Sequence, residues 1–370
     1  MDARNKFCFS QLAVLYIVLT TGQCNLKCIY CGGSFPPEVV PWEIKYSLRD
    51  LIKFIEEDPD PIIAFYGGEP LLNHVFIEKV MDSIGWAKYV IQTNATLVHR
   101  LHEKYWRRFD AVLLSIDGVK EVTDYYRGRG IYDKVLAAAE WLRKIGFKGD
   151  LIARMAVSEE SDIYRDVMHL LSLKLFDHVH WQLDVIWSNR WRNFDKWLYS
   201  TYMPGLAKLI EYWTSEIEKG TIPGIAPFKA IAYAILTKTP LEKPPCGAGV
   251  SAYAISTDGR ILACPIAVYE KWAEAGHISR DTPRTLKKYY IGPPCTQCSY
   301  LDYCGGRCLY AHVERLWGEK GFRKVCSTTM YLIDLLKKAC IKIAESLKAG
   351  VVSLNDIKYP PFNNTVEIVP

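Results

Sequence analysis

The sequence predicts an α/β fold in which six strand–helix units form a closed or half-closed barrel, followed by a small cysteine-rich domain. Two observations carry this prediction. Up to residue 187, short apolar runs alternate with amphipathic helical stretches, the pattern that parallel strands with helical crossovers require. Beyond about residue 190 the alternation stops, and seven of the twelve cysteines fall between Cys246 and Cys326.

Taken in order, LAVLYIVLTT from residue 12 is apolar on both faces and reads as a buried strand. SLRDLIKFIEE (47–57) is a helix with Ser47 and Asp50 spaced as a capping box. PIIAFYG (61–67) is the second strand, and an amphipathic helix follows over 72–84. KYVIQTN (88–94) then leads into a helix over 98–108, and AVLLSID (111–117) into a helix over 132–146. DLIARMAV (150–157), a helix over 163–174 and HVHWQLDVIW (178–187) complete the series. A helix near 203–219 and a Pro- and Gly-punctuated passage then lead to loop-rich sequence from Pro244. A closing helix is expected over 328–348, capped by Ser327 and stopped at Gly350. The domains expected are a barrel (1–190), a helical bridge (191–243), a cysteine-rich domain (244–348) and an extended tail (349–370).

Hydrophobic residues make up 49% and charged residues 24%, as in an ordinary globular chain, and the net charge of +5 is spread without a basic run. Nucleic acid is therefore not an expected partner. Arg4 and Lys6 precede an apolar stretch, but it is short, and Gln23 stands where a lipoprotein signal needs a small residue. No run approaches the length of a membrane span, so the expected location is cytoplasmic. Cysteines grouped at two- to five-residue gaps suit metal ligation better than a disulfide framework.

The first group is CNLKCIYC, with Cys24, Cys28 and Cys31 directly after the first strand. Zinc takes four ligands, and no histidine stands nearby. A redox pair uses Cys28 and Cys31 and leaves Cys24 unexplained. An iron–sulfur cube on three thiolates uses all three and keeps one iron open.

With Tyr30 before the third cysteine, this segment resembles the signature of the radical S-adenosylmethionine (SAM) superfamily. Later strand ends extend the resemblance over about residues 12–190. FYGGEP holds Gly67, Gly68 and Glu69, the segment that takes the methionine amino group in that family. IQTNAT, with Thr93 and Asn94, resembles the family's QTNGT element, with Ala95 where glycine is usual. Ser115 in LSIDG resembles a cofactor contact. Arg127 in DYYRGRG and Arg154 in ARMAV are the partners implied for the methionine carboxylate, since guanidinium binds carboxylate as a fork. WQLDV, with Leu183, lies against the adenosine by the same resemblance. The fold so implied is a partial (β/α)6 TIM-like barrel.

The later cysteines run Cys246-x12-Gly259-x4-Cys264, then Cys295-x2-Cys298-x5-Cys304-x3-Cys308, then Cys326. This matches the pattern of the SPASM extension, a C-terminal domain of radical SAM enzymes that holds two auxiliary 4Fe–4S clusters. The resemblance implies Cys295, Cys298, Cys304 and Cys326 around the second auxiliary cluster, and Cys246, Cys264 and Cys308 around the first. Two cubes take eight ligands, so the first is one thiolate short. Of the two remaining cysteines, Cys340 shares an apolar helix row with Met330, Ile333, Leu336 and Ile343 and is read as core. Cys8 is read as structural.

The activity implied is cleavage of SAM to a 5′-deoxyadenosyl radical that oxidatively modifies a peptide or protein side chain, as a thioether, a carbon–carbon crosslink or a related change. A flavodoxin- or ferredoxin-type one-electron donor is the implied partner. The sulfatase-maturing branch carries an acidic residue after the second extension cysteine and an additional early cysteine. Here Pro265 follows Cys264 and the early cysteine is missing, which argues against formylglycine formation. With so short a stretch before the first strand, an N-terminal leader-binding domain is not expected, and a precursor is expected to dock by another route or through a separate protein. A small-molecule or tetrapyrrole substrate, or pure electron transfer, are the alternatives. Asp117, Asp184 and Asp302 are candidate proton acceptors that residue type alone does not rank.

Overall fold

The structure, a computed structural model, describes residues 15–186, 191–241, 243–359 and Pro370. Cys8, the first residues of the opening apolar run and Trp187 lie outside them.

The elements alternate as β1 (Leu15–Leu19), α1 (Leu48–Ile55), β2 (Ile62–Tyr66), α2 (His74–Ser83), β3 (Lys88–Thr93), α3 (Glu103–Trp106), β4 (Ala111–Ser115), α4 (Lys120–Arg127), α5 (Ile131–Lys144), β5 (Asp150–Val157), α6 (Ile163–Ser172) and β6 (His178–Leu183). There follow α7 (Phe194–Trp197), α8 (Met203–Glu218), α9 (Ala226–Thr237), β7 (Ala252–Ile255), β8 (Arg260–Leu262), β9 (Glu274–His277), α10 (Leu301–Cys304), α11 (Leu309–Glu314), α12 (Gly318–Lys348) and α13 (Leu354–Ile357). One sheet runs β6-β5-β4-β3-β2-β1-β7-β8-β9, so the barrel is partial and stays open between β6 and β9. β1 to β6 are parallel throughout.

The continuous apolarity of β1 has a direct cause. Tyr16 and Val18 join the core under the helices with Phe65, Ile91 and Leu114, while Leu15, Ile17 and Leu19 join the barrel interior with Ala64, Val90 and Leu113. Alternate side chains point to opposite faces, and here both faces are covered. The capping box on α1 forms as its sequence predicts: Ser47 Oγ accepts from Asp50 N and Asp50 Oδ2 from Ser47 N.

The structure departs from the sequence reading in five places. The helix expected over 98–108 is a 3-10 turn followed by the short α3, because Leu101 is extended and His102 caps the new start through Lys104 N. α4 was not expected. The closing helix begins at Gly318, ten residues before the expected start, with Trp317 packed on Phe194 and with Phe322 and Val325 buried. Ser327 is therefore no cap; its Oγ bonds back to Lys324 O inside the helix. α13 interrupts the tail expected to be extended. Finally, the cysteine-rich part does not stand apart from the barrel, since β7 pairs in parallel with β1 and β8 and β9 extend the same sheet. Cys340 packs in the main core with Ile333, Leu336 and Ile343, as read. Among the described residues no helix is long and apolar enough to cross a membrane.

Candidate active site

A cavity of about 450 Å³ opens at the C-terminal ends of β1 to β6, where barrel folds carry their chemistry. Cys24, Cys28 and Cys31 stand on one wall, on the loop after β1. Two features shape that loop. Ser34 Oγ accepts from Cys24 N at 2.9 Å, and Cys28 O accepts from Cys31 N and Gly32 N at 3.2 and 2.9 Å. The neighbouring Cys28 and Cys31 thiols interact with each other, which lowers the Cys31 thiol and raises that of Cys28. Burial raises the Cys24 thiol.

The loop is pinned from beneath by a buried charge pair. Arg127, at the end of α4, donates through Nε and Nη2 to both oxygens of Asp117 at 2.7 and 2.8 Å. Asp117 also accepts from Tyr30 OH at 3.0 Å and from Ala156 N at 2.8 Å. Tyr30 packs against Tyr126 and under the Arg127 guanidinium, and Ile29 N donates to Tyr126 O. Although burial opposes its charge, Arg127 is held above its ordinary pKa by Asp117. Arg127 thus directs its fork at Asp117 and braces the cysteine loop, while lining the same cavity. Asp117 is equally committed, accepting four hydrogen bonds. Asp302 is exposed on α10, away from the cavity, whereas Asp184 lines it.

Gly67 and Gly68 also lie on the cavity wall. A Cβ at Gly67 would run into Thr21 O, and one at Gly68 into Gln23 O. Gly68 N and Glu69 N donate to those same oxygens at 3.0 and 2.7 Å. The glycine pair therefore lets the β2 end lie directly on the strand leading into the cysteine loop. Glu69 is 1% exposed and accepts from Leu71 N, Thr93 Oγ1 and Asn94 N at 3.1, 2.7 and 2.8 Å. Burial nevertheless pushes its carboxyl up to about 7 against those hydrogen bonds. Asn94 reaches across to Asn25 Oδ1 at 2.9 Å. Ala95 adopts φ 66°, the left-handed conformation that explains why glycine is usual there. Arg154, beside Ser115 in the β4–β5 register, donates to Met155 O and to Gln182 Oε1 at 2.6 and 2.5 Å.

All ten residues predicted to bind the cofactor line this one cavity: Tyr30, Gly67, Gly68, Glu69, Thr93, Asn94, Ser115, Arg127, Arg154 and Leu183. Sequence reasoning missed Gln182 and the outer wall of Ile266 and Tyr269. Gln182 carries a readable signal, being a polar residue between buried Trp181 and Leu183 at a strand end.

The later cysteines gather around two further clefts. Cys246, Cys264 and Cys308 line one, and Cys295, Cys298, Cys304 and Cys326, with Cys308 again, line the other. Gly259 turns between β7 and β8 at φ 92° and so brings Cys264 back beside the sheet. Cys308 caps α11, its sulfur accepting from Ala311 N. His312 Nδ1 stands 3.5 Å from Cys295 Sγ. No disulfide joins the described cysteines. Nor, among the described residues, do three Cys, His, Asp or Glu side chains close in as ligands of a single metal ion. A cube with one thiolate per iron holds its ligands further apart than one ion does.

The profile of the radical SAM superfamily matches residues 18–171, the stretch that supplies most of the lining of this cavity. The chain carries a radical SAM domain. Beyond the domain, the chain is 23% identical over 381 residues to the cysteine-type anaerobic sulfatase-maturating enzyme of Clostridium perfringens (strain 13 / Type A), covering 90% of this chain and 99% of that one. The structure of native anSMEcpe with bound AdoMet superposes with a TM-score of 0.70 at 19% identity, over 90% of this chain and all of that one. Streptococcus suis SuiB bound to its precursor peptide SuiA superposes at 0.55 and 15% identity, over 82% and 73%.

Radical SAM domains use a 4Fe–4S cluster and S-adenosylmethionine. The donor set on this cavity fits that pair: three thiols, buried polar groups and the Arg154 guanidinium all line it.

Proposed function

We propose that the protein is a radical SAM enzyme that oxidatively modifies a side chain of a peptide or protein, with two auxiliary 4Fe–4S clusters and a flavodoxin- or ferredoxin-type electron donor. The observation that carries this is the placing of the seven later thiols in two clefts, one of which shares Gln182 and Ile266 with the radical SAM cavity. A buried cluster site one side-chain layer from the cofactor site suits a substrate that loses a hydrogen atom and then an electron. Relatives along nearly the full chain include a sulfatase-maturating enzyme, and a structural neighbour binds a precursor peptide, which supports a polypeptide substrate.

Held by these residues, a 4Fe–4S cluster and S-adenosylmethionine would supply one-electron chemistry that abstracts a hydrogen atom from the substrate. The protein's share is placement. Cys24, Cys28 and Cys31 hold the cube, and the Asp117–Arg127–Tyr30 brace fixes their loop. Gly67, Gly68 and Glu69, with Thr93 and Asn94, form the wall for the methionine amino group, and Arg154 meets its carboxylate. Ser115 and Leu183 lie along the nucleoside. Cys246, Cys264 and Cys308 hold the first auxiliary cluster, and Cys295, Cys298, Cys304 and Cys326 hold the second. Ile186, Ile266 and Tyr269 also line the cavity, where their apolar surface would help to keep water from the reacting centre. Pro265, on the first auxiliary cleft, has no group that takes a proton, so the modification proposed is thioether or carbon–carbon crosslinking rather than formylglycine formation.

Anaerobic reconstitution with S-adenosylmethionine and dithionite tests the chemistry. 5′-Deoxyadenosine is expected, and its absence from protein with full iron content defeats the proposal. Mass spectrometry of candidate peptides co-expressed with the protein tests the substrate.

A further inference from the structure

The sulfur of Cys295, buried in the cleft of the second cysteine group, lies 3.5 Å from Nδ1 of His312 on α11. The other ring nitrogen, Nε2, accepts from Gly292 N at 3.1 Å. A nitrogen that accepts carries no proton, so the ring is neutral and its one proton sits on Nδ1, facing the sulfur. Arg315 Nη1 comes to 3.2 Å from Nδ1, but its hydrogen bond goes to His312 O, and Nη2 donates to Pro293 O at 2.9 Å. Phe322 closes the remaining side: it meets the imidazole edge-on at 6.4 Å and lies 4.4 Å from the Arg315 guanidinium. The buried imidazole is thus held in one orientation by the very loop that carries Cys295 and by the first turn of α12.

We infer that His312 donates from Nδ1 to the Cys295 thiolate and so raises the reduction potential of the second auxiliary cluster. The inference rests on the proposal that this cleft holds a cluster with Cys295 among its ligands. Sulfur bound to iron keeps negative charge, and a donor aimed at that charge favours the state with one electron more. Hydrogen bonds to the sulfurs are accordingly among the terms that set cluster potentials. The bond itself moves no electron and releases no proton. His312 is a positioning residue here, acting through Cys295. Cys304, in the same cleft, accepts from Gly306 N at 3.3 Å, a backbone donor. The donor to Cys295 belongs to a side chain, so it can be exchanged. A raised potential suits a cluster that collects the substrate's electron near the surface, and Thr296, Gln297 and Ser299 in its binding loop are exposed.

The test uses the full chain with Cys24, Cys28 and Cys31 changed to alanine, reconstituted anaerobically so that only auxiliary clusters contribute spectra. Redox titration followed by electron paramagnetic resonance compares H312Q and H312N in this parent. Glutamine places an acceptor where Nε2 stood and so keeps the Gly292 contact without a donor to sulfur. Asparagine places an N–H where Nδ1 stood and keeps the sulfur contact instead. We expect H312Q to lower one midpoint, by roughly tenfold in the one-electron equilibrium, and to leave the other unmoved. H312N should keep both midpoints of the parent. Loss of one cluster's iron in H312Q, with full iron and parent midpoints in H312N, also supports the assignment. It is overturned if H312Q keeps both parent midpoints, or if H312N shifts or loses iron as much as H312Q, the outcome of a purely structural histidine. A parent without any auxiliary cluster is a different result: it defeats the proposed function instead.

Discussion

Arg127 and Asp117 meet fork to fork, at 2.7 and 2.8 Å, with the carboxylate fully buried beneath the cysteine loop. Removing one partner of such a pair strands a charge in a medium that solvates it poorly, at a cost of about 3–5 kcal/mol. Asp117→Asn should therefore destabilise the apo protein by roughly that amount, as read by denaturant unfolding. Tyr30 OH and Ala156 N donate to the same carboxylate, so the loop should also lose its place, and affinity for S-adenosylmethionine should fall. A variant within about 1 kcal/mol of the parent would show that the pair is ornamental.

Gly68→Ala tests the contact between the second strand end and the cysteine loop. The added methyl collides with Gln23 O and crowds Cys24 N, both backbone atoms that cannot swing aside. We expect a folded barrel that assembles the first cluster poorly, seen as reduced iron content and visible absorption. Alanine at Gly85, where a Cβ meets nothing within 4 Å, is the control and should load normally.

Much of this site was legible because its residues sit at strand ends, and the strands were found from apolar runs that need no tertiary information. Ala95 illustrates the gain: its place in the QTNAT segment marked it as the residue standing for glycine, and its φ is 66°. The role of Arg127 was not legible. Its partner Asp117 is ten residues away, and the intervening helix α4 has few apolar residues to announce it. β7 was equally hidden, because its pairing with β1 spans more than two hundred residues and its four residues carry little periodic signal. The early start of α12 was masked by Gly318 and Gly321, which argue locally against helix until Phe322 and Val325 find the core.

Ala95→Gly should stabilise the protein. A non-glycine residue in the left-handed region costs about 1 kcal/mol, and glycine removes that strain while adding entropy to the unfolded chain. The net expected is a gain below about 1 kcal/mol in denaturant unfolding, with cofactor binding unchanged. A loss would mean that the alanine methyl, 2% exposed, contributes packing that outweighs its strain.

Glu69 makes a pH prediction whose sign follows from burial. Its carboxyl, ordinarily near 4.5, is pushed up to about 7 in the folded protein. The native state therefore binds a proton more tightly than the unfolded chain across that window, so this group's contribution to stability is complete below about 4.5 and is lost as pH rises through about 7. The size is on the order of 2–3 kcal/mol, the hydrogen bonds from Asn94, Thr93 and Leu71 being already included in the raised value. Glu69→Gln should flatten apo stability between these values while weakening the Asn94 backbone contact. A parent whose unfolding free energy does not fall over this range contradicts the raised value.

Cys308 lines both auxiliary clefts, yet the second has four other thiols and the first has only two. If Cys308 serves the first cluster, Cys308→Ser should remove that cluster alone and leave the second cluster's spectrum and potential intact. Cys304→Ser should do the reverse. Iron analysis with electron paramagnetic resonance of the two variants distinguishes this from a shared or swapped arrangement, in which Cys308→Ser would disturb both signals. Serine nearly preserves the volume of cysteine, so neither change opens a cavity. The cap that Cys308 gives α11 through Ala311 N passes to the serine hydroxyl, itself a preferred N-cap group, and so a lost cluster reports a lost ligand rather than a lost helix.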